Sequence, residues 1–575
     1  MTETERVERT LHRIINQTEN KKARAHVQAA LTKLYRGETD VDRFLVVDEF
    51  RFSDGDIHPT EGDFGIYWAI PAMVHLLMRF GESLSDAARE TVVRVLRSFY
   101  YIDGHNVVKR DASPSRMYLS ENHDSLLKVS LYLLAKFCGQ YLDKPLDGMD
   151  TEEVVEALTA YFHNILDVML KNGWMIEGGD PYNAVTLESY YNLMELSGDK
   201  ALSQKAKKWI DVFWCFHAAE SLNNVRGYAR TRLYPYWEDN NENWISSLFE
   251  VYTGQPAIRE GGMMDYLILF GYRPPKAVFD ILGARKNAEP YTVQTKVRGG
   301  GYYVLEELRE NEPLPLSTPI YYLDLYSQIL RTTYVTQHYT VSGFSFPLTV
   351  PLSLIAAQCR WEGATFAEPQ GSAVYAGTRE EIPALFDTFV TLHHKNTILY
   401  APNKNAYWHD TRTNPVTIVH RGEAAYRFRM ELKMKTKGEK ADYEITDGNI
   451  LTGRFGNNYF GFITNDGFTV EEDRVVVNSQ LGVLKVSHAD ETDYESFCAD
   501  IGQMKVSFTE EKIACISDGE QLELFYRDDS DHIRLINGNP LEYLTQDYVK
   551  SPFINSKIGS GEFQISSREE EQTWL

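Results

Sequence analysis

The sequence predicts an α-helical first half followed by an antiparallel β second half, and three observations predict it. From about Val7 to Phe279, apolar residues recur at helical spacing between short Gly, Pro or Asp breaks such as PLDGMD and LSGDK. From about Pro290 the period changes. YTVQTKVRGGGYYVLEE, YVTQHYTVSG, RFGNNYFGFITND, RVVVNSQLGVLKVSH and GEQLELFYRDDSDHIRLING alternate between turn residues, as half-buried strands do. Residues 282–290, LGARKNAEP, form the expected junction, which divides the chain into 1–285 and 290–575. Helix pairs ahead of a long antiparallel region suggest an α/α toroid with a sheet domain behind it. Superhelical arrays bury helix faces in the same way, so the period alone leaves both arrangements open.

The helical half divides into segments near 5–18, 20–36, 63–80, 84–100, 121–138, 151–171, 183–197, 199–219, 242–253 and 262–282. The third follows DIHPTEGDF, where His58, Glu61 and Asp63 gather and the Thr60–Asp63 spacing reads as a capping pattern. A polar loop at 101–118 carries Lys109, Arg110 and Arg116, which either face a cleft or are solvated. The segment after it, SENHDSLLKVSLYLLAKF, is the one around which the half is organised. Ser120 is an N-cap, and Glu121 and Asp124 put acid where the helix dipole favours it. Leu127, Leu131, Leu134 and Cys138 make one apolar row; Leu126, Val129, Leu133 and Phe137 make another, so most of this helix faces protein. Asn122 and His123 sit on its first turn. An amide and an imidazole beside free backbone N–H groups can receive an anion; the plainer reading is that both simply close a helix end.

Two further segments are polar breaks in strongly patterned sequence. NGWMIEGGDPYNAVTLESYYNLMEL (172–196) delivers Tyr182 to the start of a helix, 60 residues after Asn122, with Tyr190 and Tyr191 deeper in as packing. NNVRGYARTRLYPYW (223–237) sets Arg226, Arg230 and Arg232 among Tyr228, Tyr234, Tyr236 and Trp237. Guanidinium groups offer bidentate contacts to carboxylates and the rings offer stacking surfaces; a loop of solvated Arg and tucked-in Tyr is the alternative. In the β half, RTTYVTQHYTVSG (331–343) reads as strand with His338 in a polar setting, and QCRWEGATF (358–366) as its neighbour. His393, His394, His409 and His420 show neither HxH nor HExxH spacing, so no metal site is expected from them.

Composition narrows the function classes. The hydrophobic fraction of 43% is ordinary for a globular chain, whereas 13% aromatic content with 35 Tyr is high and suits a protein whose rings meet sugar faces. A net charge of −23 argues against nucleic acid and anionic membrane as partners, while local Arg groups leave an acidic substrate open. No apolar run approaches the roughly 18 residues of a membrane span. The start, MTETERVERTLHRIINQ, lacks the apolar core of a secretory signal, and five widely spaced cysteines fit free thiols in a reducing compartment; both point to the cytoplasm.

Asn-His opening a buried helix, a Tyr-bearing Gly-rich loop sixty residues on, an Arg-rich loop and a β-domain His together resemble the heparinase II/III-like and alginate-lyase group of polysaccharide lyases. SENHD, NGW…Y, GYARTRLY and TTYVTQHYT are similar to an uncharacterised branch of that superfamily. The resemblance implies an N-terminal α/α toroid (an incomplete barrel) and a C-terminal antiparallel β-sandwich. It implies β-elimination beside a uronic acid, with an acidic oligosaccharide or polysaccharide as substrate and no cofactor or metal. Asn122 and His123 would neutralise the carboxylate, Tyr182 would act as acid and base, and His338 would be a second base or stabiliser. Arg230 or Arg232, with Tyr228, Tyr234, Trp237 and Glu121, would bind substrate. Glu121 departs from the SNH often seen in these lyases, and its acid beside an anion site counts against direct uronate binding there. Two other readings stay open: a glycoside hydrolase using two of Asp63, Glu177 and Asp180, and a catalytically silent carbohydrate-binding protein that kept the fold. Homo-oligomerisation is compatible with the sequence.

Overall fold

The structure, a computed structural model, describes residues 1–16, 23–47, 50, 66–109, 121–175, 178–227, 229–231, 243–258, 261–262, 264–297, 316, 329–346, 361–378, 389–402, 408–410, 417–419, 430–435, 441–472, 474–526, 534–542, 546–566 and 572–575. Its first half is built from helices α1 (Glu3–Asn16), α2 (Ala23–Tyr35), α3 (Asp42–Leu45), α4 (Ile70–Phe80), α5 (Asp86–Lys109), α6 (Glu121–Phe137), α7 (Thr151–Lys171), α8 (Asp180–Leu196), α9 (Lys200–Glu220), α10 (Asn243–Thr253) and α11 (Lys276–Arg285). The longer ones form because apolar rows at helical spacing find partners, and local signals fix their ends. Asp150 opens α7 with a capping box: its carboxylate accepts from the N–H groups of Glu152 and Glu153, while Glu153 reaches back to its own N–H. Asp199 caps α9 in the first of these ways.

The helices make an α/α toroid. α2, α4, α6, α8 and α10 contact one another in turn as an inner layer, with α5, α7, α9 and α11 outside them and α1 packed on both α2 and α10. The inner helices are accordingly buried on nearly every side, as the double apolar row of α6 requires. α6 and α8 run parallel. Each has 17 residues, and Lys136, near the end of α6, donates to the carbonyl of Ser197 just past the end of α8 at 2.7 Å. Their first turns therefore point toward the same end, or rim, of the toroid.

The second half begins with the strand Tyr291–Val297. Strands 291–297, 329–335, 339–345, 363–366, 373–378 and 430–435 are successive antiparallel neighbours in a 12-stranded sheet, extended at both edges. A six-stranded sheet that includes Thr397–Pro402, Asn458–Ile463 and Gly482–His488 packs against its face: Val341, Phe366 and Val374 share a core with Ile398, Phe462 and Val486. A five-stranded sheet (506–540) and the helix α12 (Tyr494–Gln503) complete the half. The large sheet also turns Tyr291, Val293, Val335, Val549 and Ile554 into the same core as the toroid, so one apolar core crosses the junction. There Glu220, at the end of α9, pairs with Arg331 at 2.9 Å, both nearly fully buried.

Several expectations need correction. α5 runs on through 101–109, where a loop was expected; Gly104 lets it press against α6, since a Cβ there would lie 2.9 Å from a Leu131 methyl. The expected helix 262–282 is two elements, a 3-10 turn Asp265–Phe270 and α11, because Gly271 adopts φ +71° and Pro274 and Pro275 follow it. His338 lies in the turn between strands 329–335 and 339–345, not within a strand. Thr60, Asp63, Arg110, Arg116, Ser120, Glu177, Cys359 and His420 lie outside the described residues, and so do the side chains of Lys109, Asp180 and His409. The four described cysteines are free thiols. Among the described residues no helix is long and apolar enough to cross a membrane.

Candidate functional site

The first turn of α6 holds three consecutive polar residues. Glu121, Asn122 and His123 are all buried there. Nδ1 of His123 lies 2.9 Å from the hydroxyl of Tyr67, and the rings of Tyr67 and Trp68 flank the imidazole at 5.3 and 5.2 Å. Tyr67 comes from the 3-10 turn that leads into α4, so three consecutive inner helices meet at this rim. An imidazole walled by two rings and tied by one nitrogen has a fixed orientation.

Tyr182 is the third residue of α8 and is 8% exposed. The loop before it is held by close backbone approach. A Cβ on Gly178 would lie 2.9 Å from the Cα of Arg230, and one on Gly179 would lie 2.9 Å from Cδ2 of Tyr182. No side chain caps the N-terminus of α8 among the described residues, and Gly179 occupies the N-cap position.

Across that loop runs a strap, residues 225–227 and 229–231, that joins the toroid to the large sheet. Arg226 donates from one Nη1 to the carbonyl of Gly178 and to Oδ1 of Asn183, each at 3.2 Å. Arg230 donates to the carbonyl of Arg226, stacks its guanidinium 5.3 Å from the ring of Trp361, and pairs through its backbone with Trp361 at 2.8 and 3.1 Å. Gly227 is pressed so tightly on the sheet that a Cβ would come within 2.2 Å of the Thr340 hydroxyl, and its carbonyl accepts from Ser342 at 2.8 Å. Beneath the strap, burial and then the charge of Arg226 push the pKa of His217 down to about 3, so this imidazole stays neutral.

The expected site residues thus fall into three groups. Asn122, His123, Glu121 and Tyr182 lie at the rim, and Arg230 lies on the strap that packs against the Tyr182 loop. Tyr228, Arg232, Tyr234 and Trp237 lie outside the described residues. His338 has other neighbours. Its ring stacks on His488 with centroids 3.5 Å apart and planes 2° apart, and its Nε2 lies 3.0 Å from a carboxylate oxygen of Asp490. Sheet register explains the separation. Gly363 pairs with Ser342, so Trp361, and Arg230 with it, stands level with Phe344. His338 is six residues back along that strand, roughly 20 Å at about 3.3 Å per residue.

The pattern gave no warning of Tyr67, Trp68, Trp361, His488 or Asp490. Tyr67 and Trp68 read as the apolar start of a helix, and the others are remote in sequence from the residues they touch. Among the described residues, His338, His488 and Asp490 form the group whose ligand atoms all lie within 4.8 Å of one another. Two imidazoles and a carboxylate are a donor set that suits a borderline divalent ion such as zinc.

No family model and no curated protein matches the chain. Among solved structures it is similar to heparinase III, with 10% identity over 88% of this chain and 82% of that one and a TM-score of 0.38. It is also similar to chondroitinase AC lyase, with 10% identity over 96% and 97% and a TM-score of 0.23.

Proposed function

We propose that this protein is a lyase that cleaves uronic-acid-containing oligosaccharides by β-elimination at the α6–α8 rim. The reading is supported above all by one observation: α6 and α8, two 17-residue helices that open on Asn122–His123 and on Tyr182, are tied together at their far ends by the hydrogen bond from Lys136 to Ser197. The C5 proton of a uronate is not acidic while its carboxylate is charged. Hydrogen bonds from the Asn122 amide and the His123 imidazole stabilise the enolate-like state as negative charge develops. Tyr182, as phenolate, takes the C5 proton. The C4–C5 double bond forms as the C4–O bond breaks, and the phenol returns its proton to the leaving oxygen. A Tyr of ordinary pKa, about 10, is a weak base at neutral pH, and cations near it favour the phenolate; the guanidinium of Arg226 donates to the carbonyl of Gly178 in its loop. Arg230, over Trp361, binds the substrate acid. His338 is given no step, because it is stacked on His488 and paired with Asp490.

The test is a screen of uronate oligomers read by near-ultraviolet absorbance, which the new C4–C5 double bond supplies. Reducing ends released without that absorbance would replace the lyase by a hydrolase. Binding without cleavage across the panel would replace it by a silent binding protein.

A further inference from the structure

Three sheets meet on the side of the large sheet turned away from the toroid. Val293 and Val335 enter the shared core, so Thr292, Gln294, Thr332 and Tyr334, which alternate with them, face the opposite way. There the sheet, the 393–395 turn, the 550–555 turn and the end of the five-stranded sheet enclose a cavity of about 690 Å³. That is within the range of roughly 300–1,000 Å³ of small-molecule sites.

The described residues that line it carry no carboxylate. One residue in seven of this chain is Asp or Glu, yet none of the fifteen described residues lining the cavity is. Gln294 and Asn555 offer amides, Thr332 and Tyr334 offer hydroxyls, and Ile536 and Leu541 form an apolar wall. Burial, with Glu491 and Asp518 nearby, pushes the Tyr334 phenol up to about 12, so it remains a neutral donor. His394 and Lys395 are held by Glu520 at 2.9 and 2.5 Å, whereas Lys550 has no ion-pair partner among the described residues. The cavity is also remote from the rim. The Val297 end of the first strand bridges to Trp174, just ahead of the Tyr182 loop, and the cavity is lined by Tyr291, Thr292 and Gln294 of that strand, roughly 10–20 Å back along it.

We infer that this cleft is a second glycan site, which holds a short segment of an acidic oligosaccharide. The amides and hydroxyls read ring hydroxyls, the apolar wall takes a sugar face, and Lys550 pairs with the sugar's carboxylate. The site does not depend on the reaction at the rim, since it needs only the same class of sugar.

Hydrogen–deuterium exchange of the Tyr182→Phe protein, with hexamers of galacturonate, mannuronate and a glucuronate-containing glycan, reads the two places separately. Maltohexaose is the neutral control. At least one acidic hexamer is expected to slow exchange at 291–294, 332–334 and 550–555, and maltohexaose is not. Thr332→Trp should abolish that protection, and Lys550→Gln should raise the hexamer concentration needed about tenfold. Both variants should keep the exchange pattern of the free protein elsewhere. Protection by none of the acidic hexamers, equal protection by maltohexaose, or protection indifferent to Lys550→Gln and Thr332→Trp would each overturn the site. Protection at 121–123 and 226–231 reports on the rim instead, so failure of the lyase reading would be seen independently.

Discussion

His123 and His338 occupy comparable places in the sequence, each a polar break in strongly patterned core sequence, but the structure gives them opposite surroundings. His123 is 3% exposed, walled by Tyr67 and Trp68, and sits on a helix buried along most of its length. His338 is in a turn, its side chain 32% exposed, and its companions, His488 and Asp490, come from a different sheet. The difference teaches that a polar break marks a place where packing has released its hold, not what will be found there. At the rim, parallel helices of equal length bring several such breaks together. At the turn, sheet register carries one of them away.

The largest effect that would sharpen this contrast is at Tyr182. Tyr182→Phe should lower kcat by at least about 10³-fold with an unchanged fold, because the proton-transfer group is lost while the ring still packs; turnover retained within tenfold would remove Tyr182 from the chemistry. Asn122→Ala comes next. It should cost about 3 kcal/mol of transition-state stabilisation, roughly a hundredfold in kcat, as for loss of one oxyanion donor.

Acid should act on the fold itself. Burial holds His75, His217 and His393 near a pKa of about 3. Against an unfolded value of about 6.5, the unfolded chain takes up protons first as pH falls. Stability is therefore unaffected above pH about 6.5 and falls below it, by up to about 2 kcal/mol per histidine at pH 5. Urea midpoints that do not drop between pH 7 and pH 5 would contradict this. Gly227→Ala should then cost about 1–3 kcal/mol in the same urea experiment by forcing the strap off Thr340. It should also lower turnover, since the strap fixes the Tyr182 loop. The smallest effect, and the sharpest for the comparison, is His338→Ala. It should leave kcat within about threefold, whereas loss of a general base costs roughly 10²–10⁴-fold.

Much of the architecture was legible in the sequence because it rests on local periodicity. The double apolar row of α6, the capping box at Asp150 and the change of period near Pro290 each depend on residues a few positions apart, and local spacing is what a sequence displays. Tyr182 and His123 could be picked out as polar residues at helix starts for the same reason. What the sequence could not decide depends on partners far along the chain. That Lys136 meets Ser197 and so aligns two rims, that Arg230 is level with Phe344 while His338 is six residues away, and that Tyr67 closes on His123 are matters of helix direction and strand register. Register is set by the whole pattern of buried faces, and shifting it by one residue turns every side chain over. The sequence by itself therefore determined most of the helices and the change to strands near Pro290, but not the course of 101–109 or the break at Gly271. The tertiary structure alone decided which of the polar breaks lie near one another, because that depends on contacts between residues tens to hundreds of positions apart.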